Sequence, residues 1–217
     1  SISMDGKVRL GFHQVTRPEG NNTLESYVSN ARGMNVIVPT WFNVVSGDGT
    51  YTSLASRDYV DKAHDMGLKV WAMVENVSTE ESVKNLNTKT LMSSTSTRKK
   101  LIEKLMNEAD TYGFDGFNLD FESLKAEAGP HYVQFIREMS VACRNKGLVL
   151  SVDNYVPSSY TAFYNRREQG IVADYVIVMG YDEHYAGGEA GSVSSIPYVR
   201  EGIENTLKEV PKEKVIN

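Results

Sequence analysis

The sequence predicts an α/β protein, a (β/α)8 TIM barrel that is truncated within its seventh strand. Short apolar runs alternate with amphipathic helical segments along the 217 residues, and repeated strand–helix order implies parallel strands joined by right-handed crossovers. Unusual polar and aromatic residues follow several of these strands, at the ends where barrels build their active sites. The competing architecture is an open doubly wound sheet. Residues 11–18, after the first strand, lack the glycine-rich phosphate loop that nucleotide-binding sheets of this kind usually carry.

Six strands and the opening of a seventh are predicted. The strands are Val8–Phe12, Asn35–Pro39, Lys69–Val74, Gly116–Phe121, Val149–Tyr155 and Tyr175–Tyr181, and residues 212–217 resemble the start of another. The helices are Asn22–Arg32, Arg57–Met66, Glu80–Asn87, Thr97–Tyr112, Pro130–Lys146, Ser159–Gln169 and Ile196–Glu209. Gly33, Gly67, Gly113 and Gly147 each sit just past a helix end, where left-handed backbone is favoured. A complete barrel takes about 250 residues. We therefore expect one domain over residues 1–217 that is incomplete at its C-terminus, with sheet edges open to self-association.

Composition limits the classes of function. The hydrophobic share of 41%, the charged share of 24% and the mean hydropathy of −0.36 are typical of a soluble globular domain. The net charge of −5 and the scattered basic residues argue against nucleic acid as a partner. No run approaches the roughly 20 apolar residues that span a bilayer, so no membrane partner is expected. Cys143 is the only cysteine and the histidines lack metal-ligand spacing, so neither a metal nor another cofactor is expected.

Residues 114–122, Phe-Asp-Gly-Phe-Asn-Leu-Asp-Phe-Glu, carry the strongest chemical signal. Successive strand side chains point to opposite faces, so Asn118, Asp120 and Glu122 share one face. A parallel strand covered on both faces should be apolar, and two carboxylates about 6.6 Å apart along it influence each other's protonation. An acid that keeps its proton beside a carboxylate that stays ionised is the usual equipment of a glycosidase. The alternative is a polar strand face satisfied by internal hydrogen bonds.

Two segments make the chemistry more specific. Residues 115–122 resemble the signature of glycoside hydrolase family 18, Asp-x-x-Asp-x-Asp-x-Glu, and Met179-Gly180-Tyr181-Asp182 is similar to the family's Met-x-Tyr-Asp on the sixth strand. Residues 39–42 and 69–72 resemble the bacterial branch that includes spore-cortex and cell-wall N-acetylglucosaminidases. The resemblance implies a family 18-like catalytic domain that cleaves β-linked N-acetylglucosamine in peptidoglycan, spore cortex or chitin-type glycans. The expected partner is a polysaccharide or oligosaccharide. The expected location is extracellular, in the cell wall or on the spore.

The resemblance also implies residue roles in a retaining, substrate-assisted reaction. Glu122 would protonate the glycosidic oxygen and then activate water. Asp120 would orient the substrate's 2-acetamido group and stabilise the positive charge that it acquires. Tyr181 would donate a hydrogen bond to the acetamido carbonyl, and Asp182 would help hold the sugar. No enzyme nucleophile is needed, because the tethered carbonyl oxygen of the substrate attacks the anomeric carbon.

Two positions depart from the family pattern. Asn118 stands where chitinases usually carry Asp, which removes a carboxylate that could pair with Asp120 and predicts an altered pH dependence. Residues 73–76, Met-Val-Glu-Asn, replace the chitinases' Ser-x-Gly-Gly on the third strand, which argues against a chitinase-type cleft.

Further candidates lie at strand ends. Trp41, Asn154 and Tyr155, together with Asn118, are predicted to contact substrate because barrel strands end at the active site. Core packing is the alternative for Trp41. Met179 is expected beside the site. Asp115 is offset from the inward-facing residues, so we expect it to bond backbone near the strand start.

Two other classes of function compete with a glycosidase. One is a non-catalytic sugar-binding module of the same fold, although such members commonly lose the acid that Glu122 provides. The other is a metal site formed by Asp115, Asp120 and Glu122. Barrels can bind Mg²⁺ with strand-end carboxylates, but His and Lys partners are absent from the neighbouring strand ends.

Overall fold

The protein folds into a curled, mainly parallel sheet with helices packed on its outer face. A computed structural model describes residues 6–122, 124–155, 170–179 and 214–216, with Tyr155 and Met179 described by their backbone alone. The strands are β1 (Leu10–His13), β2 (Val36–Pro39), β3 (Phe42–Val44), β4 (Tyr51–Ser53), β5 (Lys69–Asn76), β6 (Gly116–Asp120), β7 (Val149–Tyr155), β8 (Tyr175–Met179) and β9 (Val215–Ile216). The α-helices are α1 (Leu24–Asn30), α2 (Arg57–Asp65), α3 (Glu81–Met92), α4 (Thr95–Tyr112) and α5 (Gly129–Lys146), and a 3-10 helix spans Pro18–Thr23.

Seven strands form the path of a barrel. Their order is β1-β2-β5-β6-β7-β8-β9, and each neighbouring pair is parallel. Val36 on β2 and Ile216 on β9 belong to one apolar cluster with side chains of β5, β7 and β8, so the sheet curls around a shared interior. The predicted α/β barrel fold is confirmed. The predicted helices Ser159–Gln169 and Ile196–Glu209 lie outside the described residues.

The hairpin β3–β4 is a feature that the sequence analysis missed. β2 pairs with β5 only at Val36 and Ile37, and β3 takes over the same edge of β5 from Val74 to Asn76. The antiparallel partner β4 then covers β3. The hairpin therefore extends the sheet beside the carboxyl end of β5.

Because side chains alternate along each strand, the two faces of the sheet carry two separate apolar clusters. Phe117, Leu119 and Phe121 are buried in the larger core against the helices, as their shared parity predicts. On the opposite face Trp71 stacks on Tyr175 inside the barrel, with ring centroids 5.4 Å apart. Asn118 and Asp120 alternate with the outer residues and are also buried, so the polar face of β6 is the barrel interior.

At two positions the fold requires a glycine, one for its backbone conformation and one for lack of space. Gly113 ends α4 in the left-handed region, with φ of 76°. Gly116 opens β6, where an added Cβ would lie 2.6 Å from the Val149 carbonyl oxygen and 2.9 Å from Trp71. A glycine at position 116 lets β6 lie close to both neighbouring strands.

Asx residues before several strands bond the backbone of the preceding barrel strand. Asp115 accepts a hydrogen bond from the Val70 N–H at 2.8 Å, and Asp174 accepts one from the Leu150 N–H at 2.9 Å. Asp115 also lies 2.7 Å from His64 Nε2. Asp115 thus ties β6 to β5 at the amino end of the sheet, away from Glu122. Asp115 and Glu122 therefore lie at opposite ends of β6 and cannot bind one metal ion together with Asp120.

None of the helices in the described ranges combines the length and apolar character that crossing a bilayer requires.

His13, the last residue of β1, is buried and bonded through both ring nitrogens. Nδ1 lies 2.7 Å from the Tyr59 hydroxyl, and Nε2 lies 2.8 Å from Thr23 Oγ1. Because the Thr23 hydroxyl donates its hydrogen to the Gly20 carbonyl, it accepts from Nε2–H, and Nδ1 accepts from Tyr59. These are the bonds that a neutral ring makes. Burial lowers the pKa of His13 from its ordinary value.

We expect acid to destabilise the fold through His13. The unfolded chain takes up a proton near the ordinary histidine pKa of about 6.5, whereas folded His13 resists protonation. Its contribution to stability is therefore complete above that pH. It falls as the pH drops towards the lowered folded pKa, with a slope of at most about 1.4 kcal/mol per pH unit. Urea unfolding at about pH 7.5 and about pH 5.5 measures the difference. His13→Gln should show a smaller pH dependence, and His131→Gln, which changes an exposed residue on α5, should keep that of the wild type. Equal dependence in His13→Gln and the wild type would contradict the assignment.

Candidate active site

The site is a cavity of about 520 Å³ at the carboxyl ends of the barrel strands. Its lining combines polar side chains with apolar ones and includes Gln14, Thr40, Asn43, Met73, Glu75 and Asp120. These residues lie in or directly after β1, β2, β3, β5 and β6. Since the carboxyl ends of parallel strands meet at one rim, residues that are far apart in the chain converge here.

Asp120 and Glu122 both belong to this rim, but they are held in different ways. Asp120 is the last residue of β6, pairs in register with Glu75 and lines the cavity. β6 ends there, so Glu122 lies beyond the strand and is half-buried. The simple picture of both carboxylates on one continuous strand is therefore wrong at Glu122.

At Glu122 the side chain of Asn76 makes the hydrogen bonds that a neighbouring strand's backbone would otherwise make. Its side-chain Nδ2 donates to the Glu122 carbonyl oxygen at 2.8 Å, and its Oδ1 accepts from the Glu122 N–H at 2.8 Å. Nδ2 also donates to Thr88 Oγ1 on α3, at 2.8 Å. The amide thereby continues the pairing of β5 with β6 one step beyond the Glu75–Asp120 pair. Asn76 is itself buried, so water competes little for these bonds.

Asp153 on β7 adds a carboxyl group that the sequence analysis missed. It is buried inside the barrel, and its Oδ1 accepts from Asn118 Nδ2 at 2.8 Å. Burial raises the pKa of Asp153 well above its ordinary value, and the charge of Asp120 raises it further. The expectation that Asp120 lacks a partner carboxyl is therefore wrong, because the neighbouring strand supplies one.

Glu75 on β5 completes a cluster of four carboxyl groups with Asp120, Glu122 and Asp153. Burial raises the pKa of Glu75, and the charge of Glu122 raises it further, while Lys84 opposes the shift. Both Glu75 and Glu122 also act on Asp153. Three neighbouring strands thus bring acids together that can hold different protonation states in one small volume.

Asn118 supports the site from beneath. It is fully buried and donates to Ser151 Oγ at 3.1 Å as well as to Asp153. A side chain without exposed surface does not contact a sugar, so the predicted substrate-binding role of Asn118 is corrected to one of holding Asp153.

Trp41 and Asn154 also face away from the cavity. Trp41 is fully buried in the outer core, packs edge-on against Tyr59 and donates its indole N–H to Asn21 Oδ1 at 2.8 Å. A ring enclosed in this way cannot stack on a sugar, so the prediction for Trp41 is wrong. Asn154 is buried and alternates with Asp153, on the face that carries Val152. Asp153 is therefore the inward polar residue near the end of β7.

Four further predicted site residues are Tyr155, Met179, Tyr181 and Asp182. The backbones of Tyr155 and Met179 pair with each other at the carboxyl ends of β7 and β8. Tyr181 and Asp182 lie outside the described residues. Tyr155 and Met179 thus lie at the same end of the sheet as Asp120.

A sequence signal existed for the residues that were missed. Glu75 and Asn76 stand out at the end of an otherwise apolar strand, and Asp153 shares the parity of Ser151 in β7. What the sequence did not give was the contact of Asn76 with Glu122, or of Asp153 with Asn118. Both pairs join separate strands.

Residues 18–216 match the family model of Glycosyl hydrolases family 18, so the chain belongs to this family, as its motifs predict. One similar curated protein is the Uncharacterized glycosylase YvbX of Bacillus subtilis, 28% identical over 158 residues that cover 69% of this chain and 45% of that protein. The Cortical fragment-lytic enzyme of Bacillus subtilis is 30% identical over 132 residues, covering 58% of this chain and 31% of that protein. The chain thus spans less than half the length of these relatives.

Solved structures share the fold. A chitinase from Chromobacterium violaceum superposes with a TM-score of 0.81 at 22% identity, covering 98% of this chain and 68% of that one. The spore cortex-lytic enzyme SleL of Bacillus megaterium gives a TM-score of 0.80 at 20% identity, covering 95% and 48%. At these identities the likeness establishes the barrel architecture and no more.

Proposed function

We propose that this protein is a retaining, substrate-assisted glycoside hydrolase that cleaves glycans containing β-linked N-acetylglucosamine. The observation that carries the proposal is that Asp120 lines the cavity at the carboxyl end of β6, while the backbone of Glu122, two residues further on, is held by both ends of the Asn76 amide. Membership of family 18 supports the same chemistry. We place residues 1–217 in the catalytic domain.

The first step of the proposed reaction needs an acid and a charge stabiliser. Glu122 protonates the glycosidic oxygen as the C–O bond breaks, while the 2-acetamido carbonyl oxygen of the same sugar attacks the anomeric carbon. The cyclic oxazolinium ion that forms carries positive charge on the former acetamido group. Asp120, ionised and largely shielded from water, stabilises that charge where a carboxylate acts most strongly.

The second step reverses the roles. Glu122, now ionised, takes a proton from water, and the water oxygen opens the ring at the anomeric carbon. Two inversions give net retention of the β configuration. Tyr181 and Asp182 are proposed to hold the acetamido group and the sugar, on the strength of their match to the family motif.

Cell-wall glycan is the preferred substrate class. A curated relative is named as a cortical fragment-lytic enzyme, which favours peptidoglycan or spore cortex, and action at the cell wall or spore follows from that preference. A chitinase among the structural neighbours makes chito-oligosaccharides the second choice. Glu122 argues against the alternative of a sugar-binding module without turnover.

Product stereochemistry tests the proposal. Proton NMR during digestion of peptidoglycan fragments or chito-oligosaccharides by the full-length protein should show the β anomer of the new reducing end first, with the α anomer appearing later by mutarotation. The α anomer appearing first would overturn the retaining mechanism. Glycan binding without any new reducing end would favour the sugar-binding module.

A further inference from the structure

We propose that Asp153 is the proton-holding partner of Asp120, a neutral carboxylic acid that leaves Asp120 as the anion facing the substrate. This inference rests on the proposed function and assigns a positioning role to a residue outside the family signature. Asp153 lies on β7, whereas Asn118, which stands where the signature has Asp, lies on the adjacent strand β6.

Within the described part of the chain, one of the two carboxyl oxygens of Asp153 receives a hydrogen bond and the other does not. Its Oδ1 accepts from Asn118, whereas its buried Oδ2 has no hydrogen-bond partner within the described part of the chain. A buried carboxylate normally has both oxygens occupied by donors, because its charge is costly without them. A proton on Oδ2 removes that charge.

The charges around Asp153 favour the same state. Among the described residues, Glu75 on β5, Asp120 on β6 and Glu122 just beyond β6 act on it, and all three are acids. Tyr175 is the titratable side chain on the described part of β8, and Ile177, opposite Asp153, carries no charge. Burial, followed by the charge of Asp120, raises the pKa of Asp153 well above its ordinary value.

Position decides which of the two carboxyl groups is ionised. Asp120 lines the cavity, where the positive charge of the reacting substrate can compensate its own, whereas Asp153, on the adjacent strand, is not part of the lining and is bonded to Asn118. Asn118 Nδ2 donates to both Ser151 and Asp153, which fixes the orientation of the amide. The barrel interior therefore favours an ionised Asp120 and a protonated Asp153, as in other sites with paired carboxyl groups.

Infrared spectroscopy of the full-length protein tests the protonation directly. With ¹³C-labelled aspartate, the protein at neutral pH should show the carbonyl stretch of a protonated carboxylic acid at the isotope-shifted position. Asp153→Asn should remove this band, and Glu75→Gln, the matched control, should leave it in place. Absence of the band from the wild type, or its persistence in Asp153→Asn, would overturn the proposal.

Kinetics supply a second readout. The amide in Asp153→Asn is a neutral isostere of the protonated acid, so its kcat near neutral pH should be well above that of Asp153→Ala. Asp153→Ala should lose about tenfold or more, because Asn118 loses a buried partner. Loss of kcat in Asp153→Asn as severe as in Glu122→Gln would show that an ionised carboxylate is required and would overturn the proposal. The infrared result does not depend on turnover, so it distinguishes this failure from failure of the proposed function.

Discussion

Glu122→Gln should lower kcat on N-acetylglucosaminyl substrates by about 10³-fold, within the range that a positioned acid–base group contributes. Glutamine keeps the size of the side chain and lets Asn76 hold the backbone at position 122, but it cannot protonate the leaving oxygen or accept a proton from water. Reducing-end release from chito-oligosaccharides and peptidoglycan fragments gives kcat and KM. We expect KM to change little, because the binding surface is retained.

The matched control for this change is Glu127→Gln. Glu127 follows β6 in the same loop region, but its carboxylate is exposed and bonded to Lys89 at 2.6 Å. This variant should keep the kcat of the wild type, and both variants should unfold at nearly the same temperature as the wild type. Hydrolysis by Glu122→Gln at the rate of the wild type would remove the acid–base role assigned to Glu122.

Asn76→Ala should lower kcat by about 10²-fold, although Asn76 touches no substrate in the proposed mechanism. The substitution removes both hydrogen bonds to the Glu122 backbone and frees the acid to move away from the glycosidic oxygen. It should also lower the free energy of unfolding by about 1–3 kcal/mol, because buried polar groups lose their partners. Activity is therefore measured well below the unfolding temperature of the variant.

Thr88→Val separates positioning from stability. It removes the bond from Asn76 to α3 but leaves both bonds to Glu122. A loss of stability with nearly unchanged kcat is expected here, whereas Asn76→Ala should lose kcat even where it is fully folded. Equal kcat values for the two variants, both folded, would show that Asn76 acts on stability alone.

The barrel strands could be predicted because their evidence is local. Runs such as Val149–Tyr155 follow a helix that ends at a glycine, and the structure places strands at these positions. The hairpin β3–β4 was missed because its strands have three residues each. Such short segments carry little periodic signal. Their pairing depends on the edge of β5 that β2 leaves free beyond Ile37.

The alternation of side chains along a strand predicted part of the site correctly and left another part undetermined. It identified the polar interior face of β6 at Asn118 and Asp120, because alternation is a property of a single strand. It suggested Trp41 as a sugar platform on strand-end position alone, and the structure buries that ring between Tyr59 and Phe114. Proximity to a strand end does not determine which face a side chain occupies.

By itself, the sequence determined the family, the barrel order of strands and helices, and the two carboxylates of the signature. The tertiary structure alone decided that Asn76 holds Glu122 across 46 residues and that Asp153 meets Asn118 across 35. The physical reason is that the register between parallel strands is set by the packing of whole strands and helices. Residues distant in the chain meet only once that packing is complete.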